Sequence, residues 1–513
     1  MLRLLLLAVV ALSSAACAVP LAAGANGAVH TSRPNIVLFV VDDLGWQDLS
    51  VPLADAPTPF NARYVTPAFE RLAREGVRFT DGYASAPVCT PTRAAILTGR
   101  SPGASHITYW VRNAGRDTSR EWKGLVPPQW RVDGVQPGEV TLPGLLTAAG
   151  YRTIHVGKAH WGAVGTPGAD PLALGFDVNV AGHGLGAPGS YFAQDGFGAG
   201  GAWAVPGLED VHGSDAFLTE VLAERACDEL RRAVDEAPDR PFFLHLAPYA
   251  VHTPIQLNPR YAELYAELPA RERAYASLVT SADAMLGAAL DLLDELHLAG
   301  DTLVVFTSDN GGLSAHGRDG EPHTHNAPLA SGKGSAYEGG VRVPWIVRWP
   351  GVAGANTVCR EPVISHDLFP TLLAAAGVAI PVEHAQLVEG TDLRPVLRGE
   401  PGTGARPLFW HQPHFWGNAG PGIQPYSAVR LGDHKLIWFH GATDEPGRGL
   451  ELYDLARDPG ETRDLASSDP KRVDTMLADL DKWITTRNVQ LSICRDDGTA
   501  ILPPLEPSGG SNR

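Results

Sequence analysis

The apolar run NIVLFVVDD, residues 35–43, restricts the fold more than any other feature, because it shows no polar alternation and ends abruptly at two carboxylates. Such a strand is buried on both faces, as in parallel sheets. Thr66, Pro67 and Gly76 then mark the start and end of a helix. Helix and apolar strand recur in TLPGLLTAAG with YRTIHVGK, in the helix from Ser214 to about Glu236 with PFFLHLAPY, and in the helix around Met285 to Leu298 with TLVVFTSDN. The sequence therefore predicts an α/β fold whose large, mostly parallel sheet is sandwiched by helices.

The chain changes in character past about Pro381. Loops rich in Trp and Pro come first, and YSAVRLGDHKLIWF and LELYDL then alternate like exposed antiparallel strands. Asp469 and Pro470 begin a final amphipathic helix that runs through Ile484. We therefore predict a smaller C-terminal domain, an antiparallel sheet packed by a helix. The expected boundaries are 33–380 for the main domain, 381–500 for the C-terminal domain and 501–513 for a disordered tail.

The first 28 or so residues have the pattern of a secretory signal peptide. The apolar run from Leu4 to Leu12 is shorter than the roughly 20 residues that span a bilayer, and small residues follow it. We expect an exported protein, periplasmic or secreted. Cys17 after SSAA resembles a bacterial lipoprotein site, although Ser14 stands where Leu is usual, so a lipid anchor at Cys17 stays an open alternative. No later stretch is predicted to be transmembrane.

Charge and cysteine content exclude several classes of protein. The 513 residues include 41 Lys and Arg against 57 Asp and Glu, which gives a net charge of −16. Such acidity argues against a nucleic-acid or membrane-surface binder, because a phosphate backbone requires a basic surface. An anionic substrate then needs a local cationic pocket and a metal. Cys89, Cys227, Cys359 and Cys494 are too few and too scattered for a disulfide framework in so large a chain.

Cys89 lies in SAPVCTPTRAAILTGR, beside a predicted helix start. Thr90 is a good N-cap, Pro91 suits the first helical position and Gly99 can end the helix. The positive end of the helix dipole and Arg93 favour a negative charge next to Cys89. An activated cysteine, an oxyanion site or both fit this pattern, and a buried structural cysteine near a helix cap is the alternative.

Polar residues cluster where the predicted strands end, at the edge where open α/β sheets bind ligands. They are Asp42 and Asp43, Asp309 and Asn310, Lys158 and His160, and His252, together with Lys333 in the Gly-rich turn SGKGSAYEGG. Three carboxylates and one amide oxygen suit a hard cation such as Ca²⁺, and the sequence has no compact His and Cys set for Zn²⁺. A turn, a helix cap or a solvated lysine would explain any one of these residues alone, but not the presence of all of them at the same edge of the sheet. The Gly-rich stretch 181–207 predicts a long loop over this edge.

These motifs resemble those of the sulfatases of the alkaline-phosphatase superfamily. CTPTRAAILTGR matches their activation signature, C-x-P-x-R followed by an apolar pair and Thr-Gly. The likeness extends through PNIVLFVVDDLGW, GKAHWG, FTSDNGG and KGSAYEGGVRVPWIVRWPG to LYDLARDPGETRDLA. GKAHWG departs from the common form, with Ala159 in place of Trp and Trp161 in place of Leu. The resemblance implies an alkaline-phosphatase-like fold, catalysis by the domain at 33–380, and hydrolysis of sulfate monoesters.

The resemblance also implies a modified nucleophile and a metal ion. Cys89 would be oxidised to formylglycine before folding, by a formylglycine-generating enzyme, and its aldehyde hydrate would attack sulfur. One Ca²⁺ per chain would act as Lewis acid. Its ligands would be Asp42, Asp43, Asp309, Asn310 and the modified Cys89.

The other roles follow from the same resemblance. Arg93 would orient the hydrate, and Lys158 and Lys333 would neutralise sulfate charge. His252, with Lys333 as an alternative, would protonate the leaving alcohol. His160 would take the proton of the remaining hydroxyl.

The substrate is predicted from two further stretches. DLSVPLADAPTPFNARY and LFWHQPHFWGNAGPGIQPYSAVR resemble bacterial polysaccharide sulfatases, which implies a sulfated carbohydrate such as a galactose or N-acetylgalactosamine sulfate. Trp410, His411, His414 and Trp416 are predicted to form a sugar platform, with ordinary domain-interface aromatics as the alternative.

Two other functions stay open. One is a phosphonate monoester or phosphodiester hydrolase, and the other is an inactive saccharide-binding homologue.

Overall fold

The computed structural model describes residues 33–54, 56–315, 318–402, 405–441 and 449–505. The predicted signal peptide with Cys17, and residues 506–513 of the predicted tail, lie outside the described residues. The helices are α1 (Pro67–Glu75), α2 (Cys89–Thr98), α3 (Pro102–Ser105), α4 (Leu142–Ala148), α5 (Leu218–Glu236), α6 (Ala270–Glu295), α7 (Glu338–Val341), α8 (Leu368–Ala375), α9 (Val382–Ala385), α10 (Arg394–Leu397) and α11 (Pro470–Arg487). The strands are β1 (Asn35–Val41), β2 (Val77–Phe79), β3 (Gly82–Tyr83), β4 (Leu125–Val126), β5 (Arg152–Gly157), β6 (Val178–Val180), β7 (Phe242–Ala247), β8 (Thr302–Ser308), β9 (Trp345–Arg348), β10 (Thr357–Cys359), β11 (Val363–Ile364), β12 (Leu408–Gln412), β13 (Tyr426–Leu431), β14 (His434–Phe439), β15 (Gly449–Asp454) and β16 (Ile493–Cys494).

An eight-stranded sheet in the order β10-β2-β9-β8-β1-β7-β5-β6 forms the centre of the fold. Its pairings are parallel except those of β9, which runs antiparallel to β2 and β8. Both faces are covered: α1, α5 and α6 pack on one core cluster, and α2, α4 and α8 on the other. This burial explains why the strands read as continuous apolar runs. The predicted α/β sandwich is confirmed.

Strand register places the predicted site. Val41 at the end of β1 lies opposite Ser308 at the end of β8, and Gly157 at the end of β5 lies opposite Ala247 at the end of β7. Because β8, β1, β7 and β5 are neighbours, the polar residues that follow them meet at one edge of the sheet.

Helix boundaries agree with the sequence prediction at α1 and differ at α6. This helix begins at Ala270, well before the predicted start near Met285. The prediction put the start too late because the buried polar residues Ser277, Ser281 and Asp283 interrupt the apolar pattern of the helix. Its length and composition suffice to cross a membrane, contrary to the expectation for the mature chain. However, 78% of its most apolar window is buried inside the protein, which is the position of a core helix.

The C-terminal part forms an antiparallel sheet in the order β12-β13-β14-β15, with α11 packed on it, as predicted. Its strands are not exposed as expected. One face of β13 and β14 packs on α11 through Val429 and Trp438, and the other packs on the main body through Ala428 and Ile437. Ile501, assigned from the sequence to the tail, is buried with the α11 side chains. The sheet face that carries Ala428 and Ile437 therefore joins the C-terminal sheet to the main body.

Candidate active site

Cys89 is the first residue of α2, a helix whose side chains are all buried. Val88, not Thr90, is the N-cap, and it provides no side-chain hydrogen bond to the first turn. The Thr90 hydroxyl instead accepts a hydrogen bond from the backbone N–H of Val111 at 3.2 Å. Gly99 ends the helix in the left-handed region, as predicted, with φ of 72°. Burial raises the pKa of the Cys89 thiol, so the activated-thiolate alternative is not favoured.

The acidic residues converge as the register requires. Asp42 and Asp43 follow β1, Asp309 and Asn310 follow β8, and all four are fully buried. The backbone N–H of Asp43 donates to Asp309 Oδ1 at 3.2 Å, and Asn310 Nδ2 donates to Asp43 Oδ1 at 2.8 Å. Residues more than 260 positions apart in sequence therefore form one acidic cluster.

Three cations surround this cluster. Lys158 Nζ lies 2.6 Å from Asp42 Oδ2, and Lys333 Nζ lies 2.6 Å from Asp43 Oδ1. Arg93 Nε donates to Asp309 Oδ2 at 2.7 Å, and its Nη1 donates to the Lys158 carbonyl at 2.8 Å. Arg93 Nη2 is buried without a hydrogen-bond partner in the described structure, so one donor of the fork stays available.

The donor set fits a hard divalent cation. Asp42 Oδ1, Asp43 Oδ2 and Asn310 Oδ1 are buried oxygens without a hydrogen-bond partner in the described part of the chain. Unpaired buried oxygens are costly unless an ion or water satisfies them. One ligand atom each from Asp42, Asp43 and His252 also lies within 4.8 Å of the others. His252 was not among the predicted ligands, and the oxygen-rich set suits Ca²⁺ better than Zn²⁺.

The neighbouring carboxyls Asp42 and Asp43 differ in electrostatics. Burial raises the pKa of Asp42 well above its usual range, even beside Lys158. Burial also acts to raise the pKa of Asp43, but attraction from Lys333, His252 and Lys158 outweighs it and lowers the pKa. The two carboxyls of this oxygen site therefore differ. Asp43 is held in its ionised form by its neighbours, whereas Asp42 needs a further positive charge nearby to be ionised.

Two histidines each present one free ring nitrogen. His160 is buried, its Nε2–H donates to the Val111 carbonyl at 2.9 Å, and its Nδ1 has no partner among the described residues. His252 Nδ1–H donates to the Thr253 carbonyl at 2.9 Å, which leaves Nε2, 3.6 Å from Asp43 Oδ2, as an acceptor. Burial lowers the pKa of both rings, that of His252 to about 3. Both rings are therefore neutral at neutral pH, and each has one unprotonated nitrogen.

A cavity of about 220 Å³ opens onto Cys89. Its lining combines polar groups with three indoles, those of Trp110, Trp203 and Trp416. The full lining consists of Asp43, Val88, Cys89, Trp110, His160, Gly186, Ala187, Trp203, His252, Thr253, Leu313, Lys333, Trp416 and Asn418.

Three of the four residues predicted as a sugar platform do not line this cavity. Trp410 and His411 belong to β12 and are buried, with Trp410 Nε1 donating to the Ala84 carbonyl and His411 bonded to Ser427 and Gln490. His414 is also buried and is bonded to Thr108. The platform interpretation is therefore wrong for these three side chains, because no face of them reaches the cavity, and it stays open for Trp416 alone.

The loop that covers the cavity includes the Gly-rich stretch 181–207, as predicted. A Cβ at Gly186 would come within 2.3 Å of His160 Cε1, so only glycine lets the loop backbone lie directly on the imidazole. The hydroxyl of Tyr191 donates to the Tyr249 and His252 carbonyls, and the Tyr249 hydroxyl donates to the Ala181 carbonyl. The loop therefore contacts both histidines of the site.

Glycine has a second such role at the Lys333 turn. Gly334 has a φ of 87°, and a Cβ there would come within 2.5 Å of the Trp416 indole. The Gly334 N–H also donates to the Pro87 carbonyl at 2.8 Å, close to Cys89. Trp416 therefore packs on the backbone that positions Lys333.

A buried ion network supports the turn after β1. Asp48 accepts hydrogen bonds from the Gly45 N–H at 3.1 Å and from the hydroxyls of Tyr64 and Tyr275 at 2.8 and 2.5 Å. Arg318, also fully buried, lies 3.4 Å from Asp48 Oδ2 and 2.6 Å from Glu272 Oε1. This arginine thus neutralises two buried carboxylates, one of which lies in the turn that follows Asp42 and Asp43.

Comparison with known proteins places the chain in one family. A family model described as Sulfatase matches residues 34–378, and one described as N-sulphoglucosamine sulphohydrolase, C-terminal, matches residues 332–490. The human (Homo sapiens) N-acetylgalactosamine-6-sulfatase is 31% identical over 92% of this chain and 90% of its own length. The mouse (Mus musculus) steryl-sulfatase is 32% identical over 84% of this chain and 78% of its own length.

Solved structures agree with this assignment. The crystal structure of Ps i-CgsB in complex with k-i-k-neocarrahexaose has a TM-score of 0.71 and 27% identity, over 88% of this chain and 93% of that one. The family match covers more than half of the chain and includes every residue of the acidic cluster and its three cations. The chain therefore belongs to the sulfatase family of the alkaline-phosphatase superfamily, enzymes that hydrolyse sulfate esters.

Proposed function

We propose that this sulfatase hydrolyses sulfate monoesters of a carbohydrate, using a formylglycine made from Cys89 and one Ca²⁺ ion. The observation that carries the proposal is the cavity lined by Cys89, Asp43 and Lys333, which adjoins the buried cluster of unpaired carboxylate and amide oxygens and its three cations. An oxyanion substrate needs positive charge in an acidic protein, and this cavity supplies it locally.

The cavity walls support a carbohydrate. Relatives of similar identity are named for a sugar sulfate and for a steryl sulfate, so identity alone does not choose between them. A pyranose has apolar faces that stack on indoles and hydroxyls that need polar partners. The three indoles with Thr253 and Asn418 provide both, whereas a sterol needs only apolar contact.

Maturation would precede folding. Cys89 is 4% exposed and Arg93 is 1% exposed, so an enzyme that reads the CTPTR motif has no access to it in the folded protein. A formylglycine-generating enzyme is therefore the proposed partner of the unfolded chain. The signal peptide predicted from the sequence is consistent with modification during export, and we propose a periplasmic or secreted location.

The chain's own residues then bind and orient the sulfate. An aldehyde hydrate at position 89 would supply a hydroxyl nucleophile for sulfur, and a bound Ca²⁺ would supply charge that polarises a sulfate oxygen. Lys333 at the cavity wall and Lys158 behind it offset the charge of the sulfate. Arg93 Nη2 is the free donor that orients an oxygen at position 89.

Proton transfers use the free nitrogens of the two histidines. His252 Nε2 takes up the proton that the attacking hydroxyl of residue 89 releases and delivers it to the leaving alcohol oxygen as the ester S–O bond breaks, while its Nδ1–H stays on the Thr253 carbonyl. His160 Nδ1 accepts the proton of the residue 89 hydroxyl that remains after the first displacement, so that the C–O bond to sulfate breaks, sulfate leaves and the aldehyde re-forms. Lys333, whose pKa is raised by Asp43 despite its burial, is the alternative donor to the leaving group.

Calcium binding has a test that is independent of turnover. Titrating Ca²⁺ into chelator-treated protein is expected to stabilise it by about 2.7 kcal/mol at 100 times Kd, because the ion binds only the folded acidic cluster. Asn310→Ala removes one unpaired oxygen and should weaken binding about 10-fold, measured by calorimetry. Asn113→Ala, at an exposed loop position, is the control. Unchanged affinity in Asn310→Ala would remove this residue from the ligand set.

The reaction class is tested with matched substrates. Protein that carries the aldehyde, verified by peptide mass, is expected to hydrolyse an aryl sulfate with kcat/KM at least about 10²-fold above that for a phosphate diester with the same leaving group. A sulfated monosaccharide should also turn over. Dominance of the diester would identify a phosphodiesterase instead. Tight saccharide binding without any turnover would identify a binding protein.

A further inference from the structure

The loop TYWVRNAGRDTSREW, residues 108–122, contributes a residue to the cavity lining and also carries three arginines. Trp110 of this loop lines the cavity, and Arg112, Arg116 and Arg120 follow at four-residue spacing. Arg112 is half-buried and the other two are exposed. The mechanism described above uses none of the three.

Arg112 lies against one wall of the cavity. Its guanidinium carbon is 5.2 Å from the ring centroid of Trp203, the indole that the Gly-rich loop contributes. The Arg112 carbonyl accepts a hydrogen bond from the Val164 N–H at 2.8 Å, which fixes the backbone. Stacking on the indole keeps the planar group in place and leaves its N–H edge free to bind an anion.

Arg120 lies beside Gly417, the residue that follows the cavity-lining Trp416. A Cβ built on Gly417 would come within 2.7 Å of Arg120 Nη1, so the guanidinium packs on the backbone directly after Trp416. The Arg120 carbonyl also accepts a hydrogen bond from the Phe415 N–H at 3.3 Å. Arg112 and Arg120, the rim arginines, therefore lie next to Trp203 and Trp416, two of the indoles that line the cavity.

The carboxylates of the same loop do not neutralise the rim arginines. Asp117 Oδ1 accepts hydrogen bonds from the Ser119 N–H and from Trp130 Nε1, each at 2.8 Å. Glu121 is paired with Arg495. Within the described residues neither rim arginine has a carboxylate partner, so both charges are available to a ligand.

We propose that the rim arginines bind a second anionic group, a sulfate or carboxylate, on the glycan whose sulfate ester is cleaved beside Cys89. This inference rests on the proposed function and deepens it: the preferred substrate is a polyanionic oligosaccharide or longer chain, not an isolated monosaccharide. In a chain of net charge −16, such a substrate requires local cations beyond those that bind the reacting sulfate. Guanidinium groups suit sulfate and carboxylate oxygens because they donate paired hydrogen bonds.

The test compares a small and a large substrate on the same enzyme. Arg112→Gln and Arg120→Gln are each expected to lower kcat/KM about 5- to 10-fold on an oligosaccharide with two or more sulfates, mainly through KM. Turnover of an aryl sulfate should stay within about 2-fold of the wild type, because it has no second anion. The matched control is Arg116→Gln, which removes an exposed arginine of the same loop. Arg112→Lys and Arg120→Lys should restore part of the loss.

A second pair of substrates distinguishes the two anions. An oligosaccharide with one sulfate and a neighbouring uronate should respond to the variants if a carboxylate is bound, and one with two sulfates if a sulfate is bound. The double variant keeping wild-type kcat/KM on both would overturn the rim site, as would an equal loss on the aryl sulfate. Failure of the proposed function would give a different result from failure of the rim site: the wild-type protein that carries the aldehyde would not hydrolyse the aryl sulfate at all.

Discussion

Replacing Cys89 with alanine is expected to lower kcat for sulfate ester hydrolysis by at least about 10³-fold, because it removes the only proposed nucleophile. The site should otherwise persist. Cys89 makes no disulfide, and Arg93, Lys158 and Lys333 are held by ion pairs that do not involve it. Initial rates on an aryl sulfate, with circular dichroism and thermal unfolding of the same samples, measure the effect.

The matched control for that change is Cys359→Ala. Cys359 is also a buried cysteine outside any disulfide, but it lies in β10 at one edge of the central sheet. This variant should keep its activity and react with an aldehyde probe as the wild type does, whereas Cys89→Ala should not react. Substantial turnover by Cys89→Ala would place the nucleophile elsewhere.

Replacing Arg318 with methionine is expected to lower the free energy of unfolding by about 3–5 kcal/mol. The guanidinium is fully buried, lies between Asp48 and Glu272, and stacks on Tyr275 with its carbon 3.8 Å from the ring centroid. Methionine fills much of the space but leaves the buried carboxylate of Asp48 without the guanidinium and Glu272 with the partly exposed Arg63 alone of its two arginines. Urea unfolding at neutral pH, with a check that the denaturant slope is unchanged, measures the loss.

Arg63→Met provides the comparison for Arg318. Arg63 also pairs with Glu272, at 2.7 Å, but its side chain is 28% exposed. Solvent screens this pair, so we expect a loss below about 1 kcal/mol. Equal losses in the two variants would mean that burial is not what makes Arg318 important.

The sequence was sufficient to predict the groups near Cys89. Polar residues directly after apolar strands are visible without a structure, and parallel strands bring their carboxyl ends together. Asp42, Asp309 and Lys158 meet for this reason, although they are far apart in the chain. The signature around Cys89 could be recognised because its residues are contiguous.

The indole walls could not be predicted in the same way. Trp110 and Trp203 lie in loops without periodicity, and only tertiary packing decides which loop residues face the cavity. Trp410 and His411 were misassigned because aromatic residues in a Trp- and Pro-rich stretch suggest a surface. In the structure β12 buries Trp410 against the main body and His411 on the opposite face, beside Trp483 of α11. The interleaved Trp and Arg residues after Trp110 were the one sequence signal that could have pointed to this wall.

The contact between Gly186 and His160 matters for attempts to give this enzyme new substrates by directed evolution. A library that randomises the whole stretch 181–207 would consist largely of inactive clones, since any side chain at 186 displaces His160, the proposed proton acceptor, and loss of Tyr191 releases the backbone beside His252. Residues 199–204 are mostly exposed and carry Trp203. Diversity confined to that segment would alter the outer wall of the cavity and leave proton transfer intact.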